Sequence, residues 1–132
     1  MPEEADLVEV IHGKEPIAAL TGNADLDIPE LEVEFAGSQS GAPALTYRGL
    51  AGLIEGWRDW LIPWASYRLR VNEIIDAGDM VLQLVTVHAR TSRDGVEIVH
   101  HPAAVWTIRD GAPVAVHFFL EQDLAREFAE VD

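Results

Sequence analysis

The chain contains no cysteine and a single lysine, Lys14, among its 132 residues. Without cysteine there is no disulfide framework, no thiolate nucleophile and no thiolate metal site. Basic residues as a class are scarce: 9 Lys and Arg stand against 23 Asp and Glu, a formal charge of -14. A chain with that balance repels phosphate backbones and anionic membrane surfaces, which argues against nucleic acid and membrane as partners. Long apolar runs are missing too, since none approaches the ~18 residues a spanning helix needs. The N-terminus, MPEEADLVEV, is acidic where a signal peptide would be basic and then apolar. These absences predict a soluble, cytoplasmic protein.

What is present is a 48% hydrophobic chain of a size that suits one domain over residues 1–132. Between Met80 and Glu121, three apolar runs are joined by two Asp-Gly pairs, Asp94-Gly95 and Asp110-Gly111. Asp-Gly between β-rich runs is a hairpin signal because both turn positions favour positive φ. MVLQLVTVHAR, VEIVHHPAAVWTI and PVAVHFFLE therefore read as a three-stranded antiparallel meander. Pairing Ile108 with Pro113 across the second turn sets Trp106 opposite Ala115, Ala104 opposite His117, Pro102 opposite Phe119 and His100 opposite Glu121. One face then carries these residues with Val81, Gln83, Val85, Val87 and Ala89. The other carries Leu82, Leu84, His88, His101, Val105, Val116 and Phe118. A sheet that is apolar on both sides needs a cover on each, from its own helices or from a second subunit.

Upstream, EEADLVEVIHG reads as a short helix with acids in its first turn, and EPIAALTG as a second helical segment. NADLDIP is a turn-rich connection. LEVEFAG alternates, with Leu31, Val33 and Phe35 on one side and Glu32 and Glu34 on the other, as in a half-buried strand. SQSGAPALT reads as a loop. From Leu50 to Trp64 apolar residues recur at spacings of three and four, the stripe of an amphipathic helix ending near Ile62 because Pro63 cannot continue it. SYRLRVNEIIDAGD is a further strand in which the facing of Arg68, Arg70 and Glu73 stays open, and LAREFAEVD is an acidic tail with room for one helical turn. Helices followed by consecutive antiparallel strands indicate an α+β fold.

YRGLAGLIEGWRDWLIPW, EIIDAGDMVLQLV, RDGVEIV, AAVWTIRDG and HFFLEQDLA, in that order, make residues 45 to 125 resemble the SnoaL-like branch of the nuclear transport factor 2-like superfamily. The resemblance implies a cystatin-like cone: a strongly curved antiparallel sheet wrapped around N-terminal helices, a pocket between them, and frequent dimerisation through the outer face. It also implies a range of activities, among them polyketide cyclisation, ketosteroid isomerisation, dehydration and epoxide hydrolysis, none of which needs a cofactor. In the cyclase branch an aromatic residue and an acid four positions on face the pocket; the matching positions hold His117 and Glu121, so both members of the pair depart from the pattern.

Glu121 is thus a candidate general acid or base, with His100 and His117 as imidazole partners. The plain alternative is a solvated carboxylate at a strand end and histidines that satisfy structural hydrogen bonds. Trp57, Trp60, Trp64, Gln83, Trp106 and Phe119 are the candidate lining of a pocket for an apolar or aromatic small molecule, or else core. His88 and His101 lack a third metal ligand and suit a dimer contact. Two functions remain open, a cofactor-independent isomerase, dehydratase or cyclase, and a non-catalytic homodimeric binding or accessory module.

Overall fold

The computed structural model describes residues 4–12, 30–35 and 45–131. Two expected features, the helical segment at EPIAALTG and the NADLDIP connection, lie outside these residues, as does most of SQSGAPALT. The described elements are β1 (Glu4–Asp6), α1 (Leu7–His12), β2 (Glu32–Phe35), β3 (Leu45–Arg48), α2 (Gly49–Leu61), β4 (Trp64–Ala77), β5 (Met80–Thr91), β6 (Glu97–His100), β7 (Ala103–Arg109), β8 (Ala112–Phe119) and α3 (Gln122–Ala129). They form an α+β fold around one curved, unclosed sheet in the order β1-β4-β5-β7-β8-β2-β3, with β6 pairing β5. Neighbours pair antiparallel, except that β2 runs parallel to β8. Register shifts interrupt β4 between Trp64 and Ser66 and between Val71 and Glu73. Such bulges bend and twist a long strand, which is how it wraps around the helices.

The apolar stripe of α2 fixes the concave side. Leu50, Leu53, Trp57 and Leu61 are buried there with Leu7 and Ile11 of α1, against Val33, Tyr67, Val87, Ala89, Ala104 and Val116 of the sheet. Two glycines let α2 approach β2 and β3 closely. A Cβ at Gly56 would lie 2.5 Å from the Phe35 ring, and one at Gly52 would lie 3.0 Å from Tyr47 Cβ. Asp6 begins α1, its Oδ1 accepting the backbone N–H of Val8 at 3.1 Å, and the same oxygen accepts the Tyr67 N–H at 3.2 Å. This carboxylate therefore caps a short helix and ties it to β4.

Where the sequence suggested a loop, Leu45–Arg48 forms a strand, paired with β2 from Glu32↔Arg48 to Phe35↔Leu45. The second run of the meander is broken at His101 and Pro102, because proline has no N–H to give to a ladder. The Asp110-Gly111 turn has positive φ at both positions, 54° and 77°. Across it Ile108 does face Pro113, but Thr107 faces Ala115 and Trp106 faces Val116. Val114 is thus an extra residue on β8, and one extra residue reverses the facing of every side chain beyond it. Val116 and Phe118 consequently join the concave core, and Phe119 goes to the convex side with Leu82, Leu84 and Val105.

The convex apolar surface is covered from within the chain. The C-terminal segment forms two turns of helix, α3, whose Ala125 and Ala129 pack on Leu82, Leu84, Ala103 and Val105. Gln122 Nε2 donates to the carbonyls of Val85 and Pro102, both at 3.4 Å, beside the break in the strand. Glu130 closes the helix in the left-handed conformation, and Val131 N–H returns to the Arg126 carbonyl at 2.9 Å. Leu82, Leu84 and Val105 are 0, 5 and 0% exposed. The exposed convex patch that suggested a dimer contact is therefore absent at these residues, because α3 occupies it.

Candidate functional site

Tyr67 lies at the centre of the concave side. Tyr67, Leu69 and Val71 alternate with Arg68 and Arg70 along β4, so a period of two turns the phenol inward. Tyr67 is 2% exposed. Its ring is surrounded edge-on or tilted by Trp57, Trp60 and Trp64, at centroid distances of 6.1, 6.5 and 5.7 Å. The hydroxyl meets His100 Nε2 at 3.2 Å. Burial pushes the Tyr67 phenol up to about 12, with the Trp60 hydrogen bond opposing. Burial, and secondly the charge of His101, push His100 below its ordinary 6.5. Both groups are uncharged at neutral pH, so one proton lies between them and at least one N–H or O–H remains to donate elsewhere.

A second polar group stands further along the same face. Trp106 Nε1 donates to Gln83 Oε1 at 2.8 Å. An indole nitrogen only donates, so the amide oxygen must point at it and the amide –NH₂ points away. Trp57 also packs on Phe35 and Phe118, with centroids at 5.6 and 5.2 Å, and so bridges the Tyr67 end of the concave face to β8.

Of the residues singled out from sequence, His100, Trp57, Trp60, Trp64, Gln83 and Trp106 share this concave side. His117 and Phe119 do not. His117 faces Val105 across the ladder instead of Ala104, a consequence of the extra residue at Val114. It pairs with Glu34 at 3.2 Å and lies tilted against the Phe128 ring of α3, centroids 4.5 Å apart. Nor does Glu121 oppose His100, which pairs with Val87 of β5. β8 ends at Phe119, and Glu121 occupies the N-terminal boundary of α3, its carbonyl accepting the Ala125 N–H at 3.3 Å. The Glu121 carboxylate is half-buried and hydrogen bonded to neither histidine. The expected convergence of Glu121 with two histidines is replaced by a Tyr67–His100 pair.

A sequence profile of the SnoaL-like domain matches residues 24–116. The chain belongs to the SnoaL-like domain family. Solved structures agree on the fold, several of them over nearly the whole chain. TerC, co-crystallised with polyporic acid, is 21% identical with a TM-score of 0.62, covering 94% of this chain and 95% of that one. A putative SnoaL-like polyketide cyclase from Jannaschia sp. CCS1 is 16% identical with a TM-score of 0.62, covering 98 and 94%. A hypothetical protein with a ketosteroid isomerase-like fold from Catenulispora acidiphila DSM 44928, in complex with trimethylamine, is 10% identical with a TM-score of 0.62, covering 94 and 88%. A comparison with curated protein sequences finds no match.

In this SnoaL-like chain the convex side carries polar grooves of a different kind. One of about 380 Å³ is lined by Glu32, Glu34, Thr46, Tyr47, Arg48 and His117 among others, and one of about 450 Å³ adjoins it beside Glu30, Thr107 and Arg109. Both are open and lined by charged side chains, so a ligand there stays hydrated and gains little from burial. The concave side instead offers apolar rings around a desolvated polar pair. Among the described residues no group of three or more His, Asp or Glu is placed to hold a metal, and no helix is long and apolar enough to cross a membrane. Tyr67 was missed in the sequence, although its alternation with Arg68 was the signal that would have found it. Nothing in the sequence announced Glu34 as the partner of His117, because a parallel β2–β8 pairing leaves no local mark.

Proposed function

We propose that this SnoaL-like protein binds an uncharged aromatic or apolar small molecule against the concave face, with Trp57, Trp60 and Trp64 as apolar walls and the Tyr67–His100 pair as polar contact. The observation that carries this reading is the 3.2 Å Tyr67–His100 hydrogen bond inside a ring of tryptophans. A buried polar pair that keeps a donor free, among aromatic side chains, is the composition of a small-molecule site. The similar structure of TerC, co-crystallised with polyporic acid, is in keeping with a small-molecule site. Proton transfer is a second reading, favoured by the lowered His100 pKa: a neutral imidazole accepts a proton near neutral pH, as a cofactor-independent isomerase, dehydratase or cyclase requires. In that case His100 is the base and Tyr67 the donor, and Glu121 and His117 act elsewhere. Location in the cytoplasm belongs to this proposal, and assembly as a homodimer does too, through a surface other than the one under α3.

Titration with naphthol, followed by tryptophan emission, tests the binding reading. Saturable quenching is expected, weakened about fivefold in Tyr67→Phe by the loss of one hydrogen bond of ordinary strength. Quenching that never saturates, or that is unchanged in both Tyr67→Phe and Trp64→Ala, would remove the concave face as the site.

A further inference from the structure

Strand β6 has a neighbour on one side only: it pairs with β5, and no described strand lies along its other edge. Two hydrogen bonds decide which of its backbone groups face that edge. Thr91 N–H donates to the Val96 carbonyl at 3.0 Å and Val85 N–H to the Pro102 carbonyl at 3.1 Å, so Val96, Ile98, His100 and Pro102 are the residues turned toward β5. Glu97, Val99 and His101 therefore present their N–H and C=O groups outward, with no backbone partner among the described residues. Val96, Ile98 and Val99 are 51, 38 and 55% exposed. An open apolar edge of this kind is a template for a further strand. β8 leaves it open, because its last residue, Phe119, stands opposite Ala103 of β7 and the chain then turns into α3.

A second copy of the same edge fits it in one register. Two antiparallel edges related by a two-fold axis through Val99 set Val99 against Val99 and Glu97 against His101, and every outward N–H and C=O then has a partner, about six backbone bonds in all. Sliding the pairing by two residues in either direction leaves some of these groups unmet. The same register brings complementary side chains together on the convex side. The Glu97 carboxylate is exposed, beside Arg90 across the ladder, and has no hydrogen-bond partner among the described residues. Asn72 Nδ2 donates to Thr86 Oγ1, which leaves the Thr86 hydroxyl proton for His101 Nδ1 at 3.3 Å, so His101 carries its own proton on Nε2 and has a donor left over. We infer that β6 is the contact between two copies of this chain, joined edge to edge into one continuous sheet, with Glu97 of each copy accepting from His101 Nε2 of the other. Ile98 of each copy then stands beside His100 of the other on the concave side, so the second chain closes the flank of the Tyr67–His100 pair. This rests on the homodimer reading above and adds to it the surface and the register.

Sedimentation velocity on the full chain over a concentration series tests it. A dimer in reversible exchange with monomer is expected, because a strand edge of this length buries less than an ordinary interface of about 800 Å² per partner. Val99→Pro removes an N–H that β5 does not use, so the variant should keep its circular dichroism while its dimer weakens at least about tenfold. Glu97→Lys and His101→Glu are each expected to weaken the dimer about fivefold, and the two together should restore it, because the pair is then reversed. That charge reversal carries the test if Val99→Pro disturbs the fold. A dimer that each of these variants leaves intact would overturn the edge contact and leave the homodimer reading to another surface. A loss in both single charge variants that the reversed pair does not recover would overturn the register. A monomer at every concentration would overturn the edge contact together with the homodimer reading on which it rests.

Discussion

Tyr67 and His100 come from strands on either side of β5 and meet over its concave face, hydroxyl to Nε2, at 3.2 Å. Neither residue has the other as its ladder partner: Tyr67 pairs with Ala89 and His100 with Val87. The contact is therefore diagonal across β5 and depends on the small Ala89 side chain beneath it, which leaves space for the phenol to lean along the strand.

This pair makes stability depend on pH in a defined direction. His100 is held below its ordinary 6.5 in the folded chain, by burial first and His101 second. The unfolded chain takes up that proton at the higher pH, so the contribution is full above 6.5 and is lost as pH falls from there through the lower folded value. The advantage in thermal stability of the wild type over His100→Gln is expected to narrow as the medium is acidified through this window. A difference between the two that stays flat would contradict it.

At the alkaline end the same pair acts oppositely. The Tyr67 phenol is raised from 10.0 to about 12, so its contribution is complete below 10 and declines as pH rises toward the folded value. Ultraviolet difference titration of the folded protein should show delayed phenolate formation at Tyr67, and Tyr67→Phe should abolish that late phase.

Phe118 belongs to the concave core, its ring 4.8 Å from Phe35 and 5.2 Å from Trp57. Phe118→Ala is expected to cost about 3–5 kcal/mol in a denaturant titration, as for other large aromatic truncations in a core. A cost below about 1 kcal/mol would place the residue at a surface instead.

Much of this architecture was legible in advance. The α2 stripe and its end before Pro63, the strand at Leu31 to Phe35, the meander, and the inward facing of Gln83, Val87, His100 and Trp106 all follow from periodicity and turn chemistry. What was not legible turned on single residues. Val114 enters β8 as a bulge without any local sequence mark, and that one insertion moved His117 and Phe119 to the convex side. Helix α3 was visible only as one turn, because its burial comes from two alanines, which score weakly as an apolar face. Gly52 and Gly56 read as poor helix formers, whereas their lack of a side chain is what admits Tyr47 and Phe35.

That last point predicts a sharp penalty. An added methyl at Gly56 meets the Phe35 ring, which is itself enclosed by Tyr47, Trp57 and Phe118 and has nowhere to retreat. Gly56→Ala should destabilise by about 1–3 kcal/mol through overpacking, despite alanine's better helix propensity. A stabilised variant in thermal denaturation would contradict this packing.

Removal of α3 by ending the chain at Glu121 should uncover Leu82, Leu84 and Val105 and drive self-association. Sedimentation velocity is expected to show species larger than those of the full chain, and an unchanged profile would mean that the helix does not cover this face in solution.

The central claim, that ligand binds on the concave side and not in the convex grooves, is tested most directly by nuclear magnetic resonance with naphthol. The indole N–H signals of Trp60, Trp64 and Trp106 and the ring signals of His100 should shift with a common saturating dependence, while the ring signals of His117, paired with Glu34 on the far side of the sheet, stay in place. Shifts centred on His117 with the indoles unmoved would contradict the account.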